Sequence, residues 1–296
     1  MKKLSIITVS WNVKILLIDF LKSIFSNLAD INFEVIVVDN ASKDGSVEAI
    51  KHEYQNEIAG SRLKILAEKE NHGFSKGNNL GWQASSGEYV WFLNPDMRFL
   101  EDSAEKMLNF MKAQENVGAV GCRLIYADET IQPSVKNFPK VWDQSLILLK
   151  LHHVFKTKSL KRYLAKGFDY NRQAEVEQLM GACILIKRDV FEKIGGWDED
   201  YWLSWEDVDL CEKLKSAGLK NIYTPITSII HFEGKSFEQV PSLSKQKRFN
   251  KGMRTYFKKH ESFLSYSILL ILSPFSLFLA WLTQIFKVKQ RTQSKI

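Results

Sequence analysis

Apolar runs of strand length alternate with amphipathic stretches of helix length along the first half of the chain. Leu4–Val9, Phe33–Val38, Leu63–Ala67 and Tyr89–Leu93 are followed by helical patterns at Ile15–Leu28, Ser46–Ile58, Ser75–Ala84 and Glu101–Lys112. The runs are nearly unbroken in Val, Ile and Leu, as strands are when both faces of their sheet are covered. This alternation predicts an α/β fold with a Rossmann-like, mostly parallel central sheet flanked by crossover helices. Further strands are predicted at Val117–Leu124 and Ala182–Ile186, on either side of a less regular insert. A helix is predicted at Asp207–Ala217, with Gly218 as its stop.

Ligands of open parallel sheets bind beyond the carboxyl ends of the strands. Those ends are polar here: Thr8-Val9-Ser10-Trp11-Asn12 after the first run, Asp39 to Ser46 after the second, and Asn94-Pro95-Asp96 after the fourth. Asp39 has two readings, an acceptor for a ribose or base edge and a cap for its own loop. Asp44-Gly45-Ser46 is turn and helix-cap chemistry. Asn71 to Asn79, with Gly73, Gly77 and Asn78, opens a helix. Glycines there permit close backbone approach and a helix start favours phosphate, while an ordinary capped loop has the same composition. Asp96, in a short loop beyond a buried strand, suits a hard cation that bridges diphosphate oxygens; the alternative is a Pro-containing turn. No GxGxxG follows any strand, which counts against a dinucleotide oxidoreductase.

The second half adds an acidic and aromatic cluster. Glu206-Asp207 stands at the start of a predicted helix, where the dipole and free amides favour anions. Capping explains one of the two acids, but not the three tryptophans, Trp197, Trp202 and Trp205, that surround them. Aromatic faces beside carboxylates are a common way to hold a sugar. His231 follows the apolar stretch Ile226–Ile230 and is either a metal ligand or a structural histidine.

Charge and composition then add a surface. The 296 residues carry a formal net charge of +7, concentrated in three places. From Gln144 to Gly167 there are Lys150, Lys156, Lys158, Lys161, Arg162 and Lys166 and no acid; Lys245–Lys259 and Lys287–Lys295 are also basic. Residues Val141–Leu164 mix apolar and basic groups in a way that suits an interfacial helix. Phe263 to Phe286 is uncharged and long enough to span a bilayer, with Pro274 expected to kink it; an in-plane anchor fits equally well. Cys122, Cys183 and Cys211 match no zinc or disulfide spacing and are expected as small buried residues in a reducing compartment. Met1–Lys3 leads straight into a strand, without a leader pattern, so the catalytic body is expected in the cytosol. The aromatics cluster with acids rather than with Lys or Arg, so no nucleic-acid partner is expected.

Taken together, the segments Thr8–Asn12, Val37–Ser46, Asn71–Gly81, Leu93–Asp96, Gly181–Arg188, Gly195–Leu210 and His231–Ser236 carry a resemblance. The chain resembles the family 2 glycosyltransferases of the GT-A fold, and within them the bacterial rhamnosyltransferase-like branch. The resemblance implies a GT-A domain over about 1–240, with a nucleotide-binding half to about 125, an acceptor half beyond it and the basic insert at about 140–175. A basic linker helix (241–262), an apolar membrane anchor (263–286) and a basic tail (287–296) would follow.

It also implies roles. Thr8, Ser10, Asn12 and Asp39 would contact the nucleotide, with Asn71, Gly73, Asn78, Asn94 and Asp96 completing the donor site. Asp96 and His231 would hold Mg²⁺ or Mn²⁺, Asn94 replacing the first acid of the family's DxD motif. Asp207 would be the base, paired with Glu206, and Trp197, Trp202 and Trp205 would face the acceptor. Lys213 stands where arginine is common and Ser204 where an aromatic is frequent. The expected activity is inverting transfer from a nucleotide sugar, dTDP-rhamnose ahead of UDP-sugars, to a glycan or polyprenyl-diphosphate-linked acceptor at the cytoplasmic face of the inner membrane. The competing class is a non-catalytic nucleotide-sugar-binding scaffold, which should have lost Asp96 or Asp207; both are present.

Overall fold

The computed structural model of the protein describes residues 2–28, 31–232 and 242–293, with side chains in the last stretch as far as Ile285. The segment 233–236 after His231 and residues 294–296 of the predicted basic tail therefore lie outside what is described, while the tail's backbone to Gln293 continues the last helix. The first half runs β1 (Leu4–Ser10), α1 (Lys14–Asn27), β2 (Phe33–Asp39), α2 (Ser46–Glu53), α3 (Gln55–Ala59), β3 (Leu63–Ala67), α4 (Phe74–Gln83), β4 (Tyr89–Leu93), β5 (Met97–Phe99), α5 (Ser103–Lys112) and β6 (Val117–Ile125). The insert contributes β7 (Ile131–Gln132), β8 (Val135–Lys136), α6 (Val141–Leu148), α7 (Lys158–Tyr163), β9 (Ala174–Val176) and β10 (Gln178–Leu179). Then come β11 (Cys183–Lys187), α8 (Arg188–Lys193), α9 (Glu206–Ser216), β12 (Lys220–His231), α10 (Ser242–His260) and α11 (Phe263–Gln293).

The main sheet has the order β3-β2-β1-β4-β11-β6-β12-β5. Its first four strands are parallel, as are β6 and β12. The α/β class stands, but the sheet is mixed. β11 runs antiparallel between β4 and β6, because the chain returns from the insert at the edge where β4 ends and Cys183 pairs with Leu93. Alternate residues of the central strands point to opposite faces. Leu4, Ile6, Val35, Val37 and Trp91 pack under α1 and α5, while Ile7, Ile36, Val38, Val90 and Phe92 pack with Phe191, Trp197, Leu210 and Leu214. α1 buries Leu17, Phe20, Leu21 and Ile24, the i, i+3, i+4, i+7 stripe of an amphipathic helix. The predicted helix Ser46–Ile58 is interrupted at Tyr54, which leaves helical geometry and packs its ring 5.6 Å from Phe25. Gly218, at φ +77, stops α9 as expected, with Leu219 N–H returning to Leu214 O at 3.0 Å.

A third apolar cluster joins Leu148 of α6, Trp205, Val208 of α9, Met253, Tyr256 and Phe257 of α10, and Leu269 of α11. α11 continues as a helix through Pro274. Its stretch Phe263–Ile285 is long and apolar enough to cross a membrane, with mean hydropathy 2.0. One stripe, Leu269, Ser273, Ser276 and Ala280, is buried. Asn250 of α10 anchors it, donating to Ser273 O at 3.1 Å and accepting from Ser276 Oγ at 3.4 Å. Leu264, Ile271, Phe275 and Phe278 are exposed on other faces. Cys122 and Cys183, far apart in sequence, are brought side by side on β6 and β11 with sulfurs 3.5 Å apart; both are free and buried.

Candidate functional site

The strand directions bring the carboxyl ends of β1, β2, β4 and β12 and the start of β11 to one edge of the sheet. At the β1–β2 corner, polar atoms are buried without hydrogen-bond partners: Thr8 Oγ1, Ser10 Oγ, Asp39 Oδ1, Asn40 Oδ1 and Ser75 Oγ. An orphaned buried polar atom costs about 1–3 kcal/mol, so five in one corner point to a polar ligand that satisfies them. Asp39 fits both of its readings, since Oδ2 accepts from Ser42 N–H at 2.9 Å while Oδ1 has no partner. Asn12, with φ 52, accepts from Lys43 N–H at 2.7 Å and shapes the loop beside it. Asp44 caps both neighbouring helices, taking Lys14 N–H at 2.8 Å and Ser46 N–H at 3.1 Å.

A short antiparallel strand pair builds the next part. β5 pairs antiparallel with β12, His231 opposite Met97, which sets the histidine against the Asn94-Pro95-Asp96 loop. His231 Nε2 is 3.3 Å from Asp96 Oδ1 and 3.4 Å from Asn94 Nδ2. On its other side, His231 Nδ1 is 2.9 Å from Gln132 Oε1. With Nδ1 as donor to this carbonyl oxygen, the ring turns Nε2 towards the Asn94 amide and the Asp96 carboxylate. Two buried electron-pair donors facing each other at this distance suit a cation between them and other oxygens. Among the described residues no group of three or more His, Cys, Asp or Glu side chains forms a metal cage. A divalent ion held by Asp96 and His231 would take its remaining ligands from a bound diphosphate or water.

The acidic pair borders a cavity of ≈ 350 Å³ that Asn94, His231, Trp205, Glu206 and Asp207 all line. Gly181 N–H donates to Asp207 Oδ2 at 3.2 Å, and a side chain at Gly181 would press on Asp207 Cβ at 3.1 Å. Asp207 is thereby aimed and kept accessible. Glu206 is buried and its Oε2 has no partner. Burial, and then the neighbouring Asp207 charge, push its pKa well above the ordinary 4.5. A carboxyl raised in the fold stabilises it fully at low pH and loses that contribution as pH rises. Relative to the parent, Glu206→Gln is therefore expected to gain stability between about pH 5 and about pH 8. Melting curves at both values check this, and a Tm difference independent of pH would show that Glu206 ionises freely.

The turn before α9 is strained: Ser204 (φ 71) and Trp205 (φ 80) are consecutive left-handed residues. Each such residue costs on the order of 1–3 kcal/mol and persists only where surroundings enforce it. The enforcing contacts come from α10. The Trp205 ring packs on Phe249, Tyr256 and Phe257, and Gly252 leaves room for Ser204 O and Trp205. His260 Nε2 reaches Asp209 Oδ1 at 2.7 Å, a third acid of α9 that is structural.

The predicted site residues divide. Thr8, Ser10, Asp39, Asn94, Asp96, Glu206, Asp207 and His231 lie along the sheet edge and the cavity wall as described. Asn71 accepts from Gly73 N–H at 2.9 Å and Asn78 donates to Phe74 O at 3.0 Å, so these atoms already serve the loop and helix start. Gly73 is required by the protein itself, since Phe74 N–H donates to Trp202 O and the Trp202 backbone lies against the glycine. Of the three tryptophans only Trp205 lines the cavity. Trp197 is a core residue, edge-on to Phe74 and Phe92, because the two left-handed glycines Gly195 and Gly196 turn it inward. Trp202 stacks under the Arg248 guanidinium at 3.8 Å. Lys213, in place of arginine, donates to Gly196 O at 2.7 Å. Sequence reasoning missed Asn40, Ser75, Gln132 and Asn79, which clasps Trp197 through its backbone N–H and O. It also missed the cavity residues Lys136, Tyr163, Gln178 and Phe249, which come from the irregular insert and α10.

Comparison with known proteins agrees with this geometry. Glycosyl transferase family 2 matches residues 5–195, and the N-terminal domain of galactosyltransferase matches residues 162–242. An uncharacterised Sinorhizobium fredii protein is 30% identical over 78% of this chain, which spans only 25% of that protein's length. The N-acetylglucosaminyl-diphospho-decaprenol L-rhamnosyltransferase of Mycobacterium tuberculosis is 27% identical over 70% of this chain and 69% of its own. Among solved structures, the Pyrobaculum calidifontis mannosyltransferase in complex with GDP-Man and Mn²⁺ has a TM-score of 0.58 at 18% identity, over 94% of this chain and 73% of its own, a likeness of fold. The chain has the GT-A-like α/β fold and belongs to glycosyl transferase family 2, in its bacterial rhamnosyltransferase-like branch.

Proposed function

We propose that this protein transfers a sugar from a nucleotide-sugar donor to a hydroxyl of a glycan or lipid-linked acceptor, with inversion at the anomeric carbon. The observation that carries the reading is that one cavity is lined by His231 and Asn94 together with Glu206-Asp207. The donor's nucleoside would satisfy the orphaned groups of Thr8, Ser10, Asp39, Asn40 and Ser75. Asp96 and His231 would hold Mg²⁺ or Mn²⁺, which when bound neutralises charge on the leaving diphosphate. Burial raises the Glu206 pKa and leaves it closed off, whereas Asp207 is the more accessible acid and is held by Gly181 N–H, which favours Asp207 as the base. Asp207 takes the acceptor hydroxyl proton as that oxygen bonds to the anomeric carbon, and the bond from that carbon to the phosphate oxygen breaks. The nucleoside diphosphate departs with the bonding pair.

The mycobacterial relative's name favours a rhamnosyl donor and a polyprenyl-linked acceptor, with UDP-sugars the rival donor class. The apolar outer face of α11, the exposed Trp142, Val154 and Phe155 of the insert and the nearby lysines support work at the cytoplasmic face of the membrane. A panel of sugar nucleotides assayed for hydrolysis with and without Mg²⁺ or Mn²⁺ tests the proposal. One donor is expected to turn over in a metal-dependent way, and His231→Ala is expected to weaken that dependence. Hydrolysis and transfer absent with every donor would leave only the scaffold role.

A further inference from the structure

We propose that Lys136 and Gln178 form an anion subsite in the cavity that binds a phosphoryl group carried by the acceptor beside the sugar being extended. The inference rests on the glycosyltransferase reading and names the acceptor's chemistry within it. Lys136 is the one lysine or arginine among the described residues that line the cavity. It is half-buried, among the described residues its ammonium has no carboxylate partner, and it lies over the Tyr163 ring, 6.0 Å from the centroid. Gln178 lies directly opposite it in the antiparallel pair β8–β10, so the two side chains share a face. Gln178 also lines the cavity, and among the described residues its side chain makes no hydrogen bond. An ammonium and an amide on one face of a cavity whose lining also includes Pro139, Met180, Leu203 and Phe249 can both donate to one bound anion.

The donor's own phosphates have another place. The orphaned polar atoms sit on β1, β2 and α4, and the Asp96–His231 pair on the main sheet, whereas β8–β10 is a separate two-stranded sheet on the side of the insert. The insert continues outward from Tyr163 into exposed Val154, Phe155 and Trp142 and the exposed Lys156 and Lys158. A ligand with a phosphoryl group at Lys136 and an apolar tail along that surface matches both halves of this chemistry.

The test compares two acceptors with the same sugar, one an alkyl diphosphate ester and the other a neutral alkyl glycoside, on the full chain and on Lys136→Gln and Lys136→Arg. Loss of a charge-assisted contact is expected to raise KM for the diphosphate acceptor about 10- to 100-fold in Lys136→Gln, with most of it restored by Lys136→Arg. The loss should fall on the charged acceptor alone, with donor KM following neither variant. Equal losses on both acceptors, or a parallel rise in donor KM, would overturn the subsite while leaving the enzyme reading intact. A parent chain that turns over no sugar nucleotide takes both readings down.

Discussion

Asp207→Asn is expected to lower kcat by about 10²–10⁴-fold while donor affinity stays within a few-fold of the parent. The substitution keeps the shape that Gly181 N–H grips and removes only the ability to take a proton. Donor affinity should persist because the orphaned hydroxyls and the Asp96–His231 pair belong to other strands. Steady-state transfer rates, together with nucleotide-sugar binding by calorimetry, separate the two effects. An active Asp207→Asn beside a dead Glu206→Gln would reverse the assignment.

Gly73→Ala is expected to be the most damaging single-methyl change in the molecule. Gly73 has φ 83 and ψ −170, a region that only glycine occupies without strain. A β-carbon there would lie 2.2 Å from Trp202 O and 2.7 Å from Trp202 Cγ. The neighbour that would have to move is backbone, and it leads directly into the left-handed Ser204–Trp205 turn and the acidic pair. Strain alone is on the order of 1–3 kcal/mol, equivalent to several degrees of Tm in a domain of this size, and the steric overlap adds to it. Turnover should fall by more than tenfold in the fraction that folds. A variant with the parent's Tm and rate would show that the Trp202 loop is not seated on this glycine.

The parts of the fold that were legible in the sequence are those set by local periodicity. The unbroken apolar runs marked β1, β2 and β4 because both faces of those strands are covered, and Gly218 marked the end of α9 because a left-handed stop there favours glycine. The reversed direction of β11 was not legible, since an apolar run has the same pattern either way up a sheet. The long-range β5–β12 pairing that sets His231 against Asp96 was also hidden, because three residues show no period. Asp39, Asp96 and Asp207 stood out by following or opening regular elements. Lys136 and Gln178 did not, because they lie on two-residue strands within an irregular insert and acquire meaning only when the chain folds back. The tryptophan cluster misled for a related reason: three rings close in sequence were sent to a core, a guanidinium and a cavity by the glycines and left-handed residues between them.

The left-handed pair at Ser204 and Trp205 has a consequence for how such chains diversify. The acidic end of α9 is held in place by a helix some forty residues further on, so the half that meets the acceptor and the C-terminal hairpin make one inheritable unit. A graft that exchanged the acceptor end without its own α10 would import carboxylates with nothing to aim them.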